Sequence, residues 1–223
     1  MTWKDITVEQ YQKLSPILTN KSDSTLDVLV EVISLIEELS IDEIDSWPLY
    51  KLTEKEKEYS FLDSLDFDKT AKSTIKANGK RYHFVHQVEQ MPAARYIEAK
   101  TFAQATPQEY QKIIVQNLHK IMASCVLPMT KKWYGWHTDK YNAKDHEQYA
   151  NDLKKANFAE VYNCVVFFCQ LYGGWMIISR DYLVSQYKTA MSQEQAEELV
   201  SSLIEPMAGF LTFPQFQSLK ELR

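Results

Sequence analysis

The stretch STIKANGKRYHFVH, residues 73–86, decides the fold class of this 223-residue chain. Two runs of alternating apolar and polar residues, 74–77 and 81–86, flank Asn78-Gly79-Lys80. An Asn-Gly pair between such runs is the strongest short-range signal for a β-hairpin, because the turn that suits paired strands needs positive φ at both central residues. We predict one small hairpin over about residues 74–86.

Outside this hairpin, apolar residues recur at helical spacing. Thr7 is placed to cap a helix that runs through Leu14, and Ser24 or Thr25 opens a second helix. The second helix is apolar around most of its circumference, so we expect it at the centre of the packing.

A further helix start lies at Thr106-Pro107-Gln108-Glu109, which combines an N-cap residue, a first-turn proline and an acid at the third helical position. We predict that this helix runs to about Val126 and that Pro128 ends it. Residues 193–222 are also predicted to be helical, with interruptions. The fold class that follows is mainly α: a multi-helix globular domain with one small inserted β-hairpin.

The charge divides the chain into two regions. Residues 1–72 carry sixteen acidic and eight basic residues, whereas the whole chain has a net charge of −5. We predict an acidic N-terminal helical region, 1–72, and a hairpin followed by a helical region, 73–223, packed together as one domain. The imbalance indicates either docking or self-association, or simply acidic helix faces that are solvated.

The composition contains few signals of catalysis. There are five glycines and five histidines, and no Gly-rich phosphate loop, paired-cysteine motif or nucleophile elbow is visible. We therefore expect that the chain is not an enzyme and that it holds no cofactor and no metal. Cys125, Cys164 and Cys169 stand in apolar helical stretches, which is typical of buried free thiols.

Histidine and acidic residues suggest one alternative. On a strand, His83 and His86 would point to opposite faces, and Cys125 and His119 would face different directions on one helix. The one cluster of histidines with acids is His137, Asp139, Asp145, His146 and Glu147. It leaves open a metal-dependent enzyme or hydrolase that uses this region, although an irregular segment does not hold ligands at fixed geometry.

The segment KKWYGWH, residues 131–137, mixes basic and aromatic residues within a stretch, 130–144, that we predict to be irregular. Such residues can stack the bases of single-stranded nucleic acid, form the hot spot of a protein interface, or cap the end of a core with their polar tips in water. The acidic balance of the chain disfavours nucleic acid. The candidate interaction surface is Trp133, Tyr134, Trp136, His137 and Tyr141.

The segment Phe158–Ile178 is long enough to be weighed as a membrane span. It contains Glu160, Asn163 and Gln170, which favour a buried core helix instead. Residues 1–5 lack an apolar segment behind them, so we expect no secretory signal. The expectation is a chain that does not associate with membranes.

Several short segments follow one another in a recognisable order over most of Asp5 to about Leu171. They are DITVEQYQK (5–13), SIDEIDSWPL (40–49), NGKRYHF (78–84), ARYIE (94–98), NLHKIMA (117–123), LPM (127–129) and VVFF (165–168). This order resembles small accessory proteins encoded among the structural genes of tailed bacteriophages, several of which look like tail assembly chaperones. The family has no catalytic residues to transfer.

The resemblance implies a non-enzymatic role in virion morphogenesis. A tail assembly chaperone would hold an aggregation-prone tape-measure protein until tail-tube subunits polymerise around it. The implied partners are other phage structural proteins, namely tape-measure, tail or neck components, and the implied location is the host cytoplasm during assembly, or the virion. A minor virion component and a host-directed inhibitor remain alternatives, and the oligomeric state is open.

Overall fold

The computed structural model describes residues 1–20, 25–64, 66–87, 91–103, 110–187, 192–195 and 198. Most of them are helical, which confirms the α-rich fold class. The helices are α1 (Val8–Thr19), α2 (Thr25–Glu37), α3 (Ile41–Asp45), α4 (Leu49–Tyr59), α5 (Ala93–Ala103), α6 (Tyr110–Cys125), α7 (His146–Leu153) and α8 (Phe158–Tyr187). The helix start predicted at 106–109 lies outside the described residues, as does most of the predicted C-terminal helical part, 193–222.

The predicted hairpin is confirmed. Strands β1 (Thr74–Ala77) and β2 (Lys80–Phe84) pair antiparallel, with Ala77 opposite Lys80 at the turn. Asn78 has φ 48° and Gly79 has φ 73°. Positive φ at both central residues is the type I′ geometry, which matches the twist of the paired strands. The local sequence signal therefore acts through backbone conformation at these two positions.

The sheet is larger than the predicted hairpin. Strands β3 (Val126–Lys132) and β4 (Gly135–Thr138) extend it to four antiparallel strands in the order β1-β2-β3-β4. The prediction that residues 130–144 are irregular is therefore wrong for 130–132 and 135–138. α6 ends at Cys125 and β3 begins at the next residue, so the helix passes into the strand without a connecting loop.

Pro128 lies inside β3, an interior strand, where proline is rare because it has no N–H to donate. Its carbonyl accepts from the Asp139 N–H at 2.8 Å, on the β4 side. In an antiparallel strand the N–H and the carbonyl of one residue point to the same side. The missing donor therefore faces Asp139, beyond the end of β4, and the pairing of Pro128 with Tyr82 of β2 does not need it.

The centre of the core is formed by α6, α8 and one face of the sheet. The segment from Leu118 to Val126 is almost wholly buried, and so is most of the first half of α8. The prediction that the second helix lies at the centre is wrong: only Val32, Ile33 and Ile36 of α2 are buried, and Leu26 is 51% exposed. Apolar character alone does not tell which helix has neighbours on all sides.

The acidic N-terminal region packs on the rest of the chain and shares its core. Thr7 caps α1 as predicted, through a capping box with Gln10, although the helix continues past Leu14 to Thr19. The ring of Tyr11 stacks on Phe158 with centroids 3.7 Å apart, and Trp3 lies 5.4 Å from the same ring. Aromatic contacts of this kind bury large apolar areas, so the two regions are packed as one unit.

The hairpin turn is fixed to α7 by Asp152, which is 4% exposed. Its carboxylate accepts hydrogen bonds from Asn78 Nδ2 at 2.7 Å, Lys80 Nζ at 2.7 Å and the Tyr82 hydroxyl at 2.6 Å. Burial alone would raise the pKa of Asp152, but the bonds from Asn78, Lys80 and Tyr82 outweigh it and lower the pKa. The carboxylate is therefore held ionised in the native state.

Replacing Asp152 should destabilise the fold strongly. We expect Asp152→Ala to reduce the free energy of unfolding by roughly 2 to 4 kcal/mol, since it leaves three donors without their acceptor. Urea denaturation measures the change, with Asp45→Ala, which removes an exposed acid, as the control. An Asp152→Ala variant as stable as the control would show that this carboxylate does not hold the hairpin.

A second polar contact joins α1 to α6. Gln12 Nε2 lies 2.9 Å from His119 Nδ1 and donates to the carbonyls of Val115 and Gln116 at 2.9 and 2.8 Å. An amide nitrogen can only donate, so its contact with Nδ1 of His119 requires that this ring nitrogen carry no hydrogen, as in the neutral ring. Burial, reinforced by the nearby Lys154, Lys120 and His146, lowers the pKa of His119 to about 4.

This histidine makes stability depend on pH in a defined window. Between about pH 6.5 and pH 4 the unfolded chain binds a proton at His119 that the native chain does not, so stability falls as the pH falls. We expect His119→Gln to reduce the loss of unfolding free energy between pH 7 and pH 5 by roughly 1 kcal/mol. Urea denaturation at both pH values, with the exposed His137→Gln as control, checks this; equal losses in both variants would contradict it.

Candidate functional site

The β3–β4 hairpin extends beyond the rest of the sheet. Pairing between β2 and β3 stops at Met129, whereas β3 and β4 stay paired out to Lys132 and Gly135. We call residues Thr130–His137 the aromatic ribbon. All of its residues are exposed, on both faces. At about 3.3 Å per residue, its strands run about 10 Å past the last pair between β2 and β3.

The turn of the ribbon consists of two aromatic residues. Trp133 is 95% exposed, Tyr134 is 58% exposed, and their rings meet edge to face with centroids 5.3 Å apart. Trp136, on β4, is 41% exposed and lies under the guanidinium of Arg81 at 4.4 Å. The expectation that these rings cap a core does not hold for Trp133, because almost all of its surface faces water.

The ribbon carries only positive formal charge. Lys131 and Lys132 precede the turn, and no acidic residue occurs between 126 and 138. Neither lysine forms an ion pair with any residue that the structure describes. Tryptophan and tyrosine are among the side chains that dominate binding at protein interfaces, and a cation beside an aromatic ring is attracted to its face.

Four residues of the predicted interaction surface lie on the ribbon, and Tyr141 does not. Tyr141 is half-buried against the core, where its hydroxyl donates to Glu98 Oε2 at 2.7 Å. The guanidinium of Arg95 lies 4.4 Å from the centre of its ring. Burial, with the hydrogen bond to Glu98, raises the pKa of Tyr141 above its ordinary value. Tyr141 therefore belongs to a buried polar cluster.

That cluster also contains Ser124, which no sequence pattern singles out, and His146, which the sequence groups with a different set of acids. Ser124 Oγ donates to Glu98 Oε2 at 3.0 Å and lies 3.2 Å from His146 Nε2. The ring of His146 stacks on Phe102 with centroids 5.2 Å apart. The cluster extends over 48 positions of sequence, from Glu98 on α5 through Ser124 on α6 to His146 at the start of α7, so no spacing rule could have grouped its members.

The arrangement does not fit a nucleophilic serine. In such a site the acid orients the histidine through the ring nitrogen that does not face the serine. Here Glu98 Oε2 lies 3.8 Å from Nε2 of His146, the same nitrogen that faces Ser124. Ser124 is also fully buried, so a substrate has no access to its hydroxyl. The cluster serves instead to satisfy polar groups between α5, α6 and α7.

The predicted acid–histidine cluster is not assembled. His137 is exposed on the ribbon, whereas His146 is buried at the start of α7. Among the described residues no group of three or more histidine, cysteine, aspartate or glutamate side chains is placed to hold a metal ion. The residues from 137 to 147 are therefore distributed over two separate environments.

A shallow groove of about 320 Å³ lies between α1 and α6. Its lining contains amide, hydroxyl and apolar side chains and one amine: Gln12, Ser15, Pro16, Thr19, Asn20, Lys112, Val115 and Gln116. No carboxylate, histidine or cysteine lines it. The groove offers hydrogen bonds but no acid–base pair of the kind that hydrolysis needs.

The three cysteines are buried free thiols, as the sequence predicts. Burial raises the pKa of Cys164 to about 12, and it raises the pKa of Cys125 and of Cys169 well above the ordinary value. The thiolate is the reactive form, so a raised pKa and the absence of solvent contact both make these side chains inert.

A thiol reagent should therefore distinguish native from unfolded chain. We expect none of the three thiols to react with a chromogenic disulfide at pH 8 within minutes, and all three to react in denaturant. The variant Thr130→Cys, which adds a thiol to the exposed ribbon, should react at once and serves as the control. Rapid reaction of a thiol in the native wild-type chain would contradict the packing of α6 and α8.

The segment weighed as a membrane span, Phe158–Ile178, lies within α8. Of the helices that the structure describes, none combines the length and the apolar character that crossing a bilayer requires. Searches for relatives found no matching protein family, no matching curated protein and no matching solved structure.

Proposed function

We propose that this chain is a non-enzymatic protein of bacteriophage virion morphogenesis that works by protein–protein contact, in the manner of a tail assembly chaperone. Its proposed partners are tape-measure, tail or neck components, and its proposed place of action is the host cytoplasm during assembly. The phage assignment comes from the order of sequence segments described above. The contact mechanism comes from the aromatic ribbon.

The exposure of Trp133 carries the proposal. A side chain of this size, 95% in water at the end of a projecting hairpin, contributes nothing to the core of its own chain and contacts only the ring of Tyr134 beside it. Tryptophan and tyrosine offer a partner a large contact area at low cost in side-chain entropy, and they dominate interface hot spots. Lys131 and Lys132 beside the turn would add attraction for an acidic partner surface.

The buried polar residues support the same proposal. Glu98, Ser124 and His146 use their hydrogen bonds on one another, and Asp152 uses its bonds to fix the hairpin turn. The first set of contacts joins α5, α6 and α7, and the second attaches the hairpin turn to α7, so the ribbon projects from a well-packed base. A rigid presentation lowers the entropy lost when a partner binds.

Substitution at the turn should weaken capture of structural proteins. We expect Trp133→Ala with Tyr134→Ala to reduce the amount of phage structural protein that co-purifies from infected cells by roughly 10- to 30-fold, since hot-spot aromatics contribute about 2 kcal/mol. Quantitative mass spectrometry of the material retained by the tagged chain measures the change.

The matched control is Ile97→Ala, which removes another large apolar side chain, 59% exposed on α5. Its yield of structural protein should equal that of the wild type. Equal yields from the double variant and the wild type would refute the ribbon as the contact site. Presence of the chain in purified particles would favour the alternative of a minor virion component, and its absence would favour a chaperone.

A further inference from the structure

We propose that the ribbon also docks on a second copy of this chain, at a patch on α3 and α4 of the acidic region. This inference rests on the proposed function, because it assigns an occupant to the same ribbon. The patch consists of the exposed apolar residues Ile41, Leu49 and Tyr50 and the exposed acids Asp42, Glu43, Asp45 and Glu54.

The patch is unusually apolar for a surface. Leu49 is 72% exposed, Tyr50 is 67% exposed and Ile41 is 48% exposed, although all three lie within ten residues of chain. Scattered exposed apolar residues are ordinary, but a group of large ones surrounded by charges marks an interaction site. The patch therefore offers apolar contact area to a matching set of aromatic rings.

The charges of the two surfaces are complementary. Residues 41–54 contain four acids and one lysine, Lys51, which lies over the ring of Trp47 at 3.3 Å. The ribbon contains Lys131 and Lys132 and no acid. Opposite charges around an apolar centre steer two surfaces together and select against wrong partners.

Both sets of charges are left unpaired within the described part of the chain. None of the four patch acids and neither ribbon lysine takes part in an ion pair there. Several other surface charges, among them Lys76, Lys140 and Glu147, also take part in none of these ion pairs. The ribbon and the patch differ from them because each combines its charges with large exposed apolar or aromatic side chains.

A contact between a ribbon and a patch joins two different surfaces. Each copy then keeps one ribbon or one patch free, so the association continues head to tail unless it closes into a ring or a reciprocal pair. The ribbon engaged in this way is not available to a structural protein. Self-association and capture of a partner should therefore compete.

The test uses the full chain and two charge-reversal variants. The ribbon variant carries Lys131→Glu and Lys132→Glu, and the patch variant carries Asp42→Lys and Glu43→Lys. Sedimentation velocity should give a wild-type mass above 26.1 kDa that rises with protein concentration and falls as salt is raised from about 0.05 M to about 0.5 M.

Each variant alone should remain at the monomer mass, because its ribbon and its patch carry the same sign of charge. An equal mixture of the two variants should recover association, since each ribbon then meets a patch of opposite sign. Far-ultraviolet circular dichroism checks that both variants fold. Recovery in the mixture is an outcome that simple misfolding of either variant cannot produce.

A wild-type chain that stays monomeric at all concentrations and salts would overturn the inference, as would association of the ribbon variant to the wild-type extent. The proposed function fails separately. If the patch variant is monomeric and retains structural protein at least as well as the wild type, both proposals stand. If the wild type is monomeric but the double variant Trp133→Ala with Tyr134→Ala still reduces capture, only the self-docking fails.

Discussion

The structure depends on the way in which Arg95 terminates α6. A helix leaves its last four carbonyls without partners, and here the chain enters β3 at once, with no loop to bring in water. Arg95, 5% exposed, donates from Nε to the Ser124 carbonyl at 2.9 Å and from Nη2 to the Val126 carbonyl at 2.8 Å. Its charge also lies at the end where the helix dipole attracts cations. Burial lowers the pKa of this guanidinium. The carbonyls of Ser124 and Val126 and the ring of Tyr141 take the place of water around the charge.

This junction sets the direction of the sheet. α6 is buried along its last two turns and passes directly into β3. The packing of the helix therefore determines where the strand begins relative to the other helices. The Asp152 carboxylate fixes the opposite, β1–β2, end through Asn78 and Lys80. Both ends of the sheet are thus attached to helices, and the part of β3 and β4 beyond Met129 projects from this packed base. An isolated two-stranded hairpin is marginal in water, so the ribbon owes its order to this base.

The parts of the fold that the sequence predicts are those controlled by local chemistry. Asn78 and Gly79 have the positive φ that an Asn-Gly pair favours in a two-residue hairpin turn. Thr7 caps its helix by accepting a hydrogen bond from the N–H of Gln10, three residues further along the chain. β3 escaped prediction because Pro128 normally ends a strand or a helix; it is tolerated only because its missing N–H faces past the end of β4. The central role of α6 over α2 depends on which neighbours surround each helix, and hydrophobic periodicity carries no such information.

The candidate site shows the same division. The identity of its rings was visible in the segment 131–137, but the exposure of Trp133 follows from the length by which β3 outruns β2, a property of strand register. Tyr141, a few residues further along the chain, is turned to the core by Glu98 on α5. Trp136 and Tyr141 are close in sequence, but the first lies on the exposed ribbon and the second lies against the core. Because Arg95 binds the carbonyls at the α6–β3 junction, it also influences which aromatic residues are exposed to water. The end of α6 and the projecting hairpin are therefore linked through β3, and the exposed aromatic surface is a consequence of how a buried helix ends.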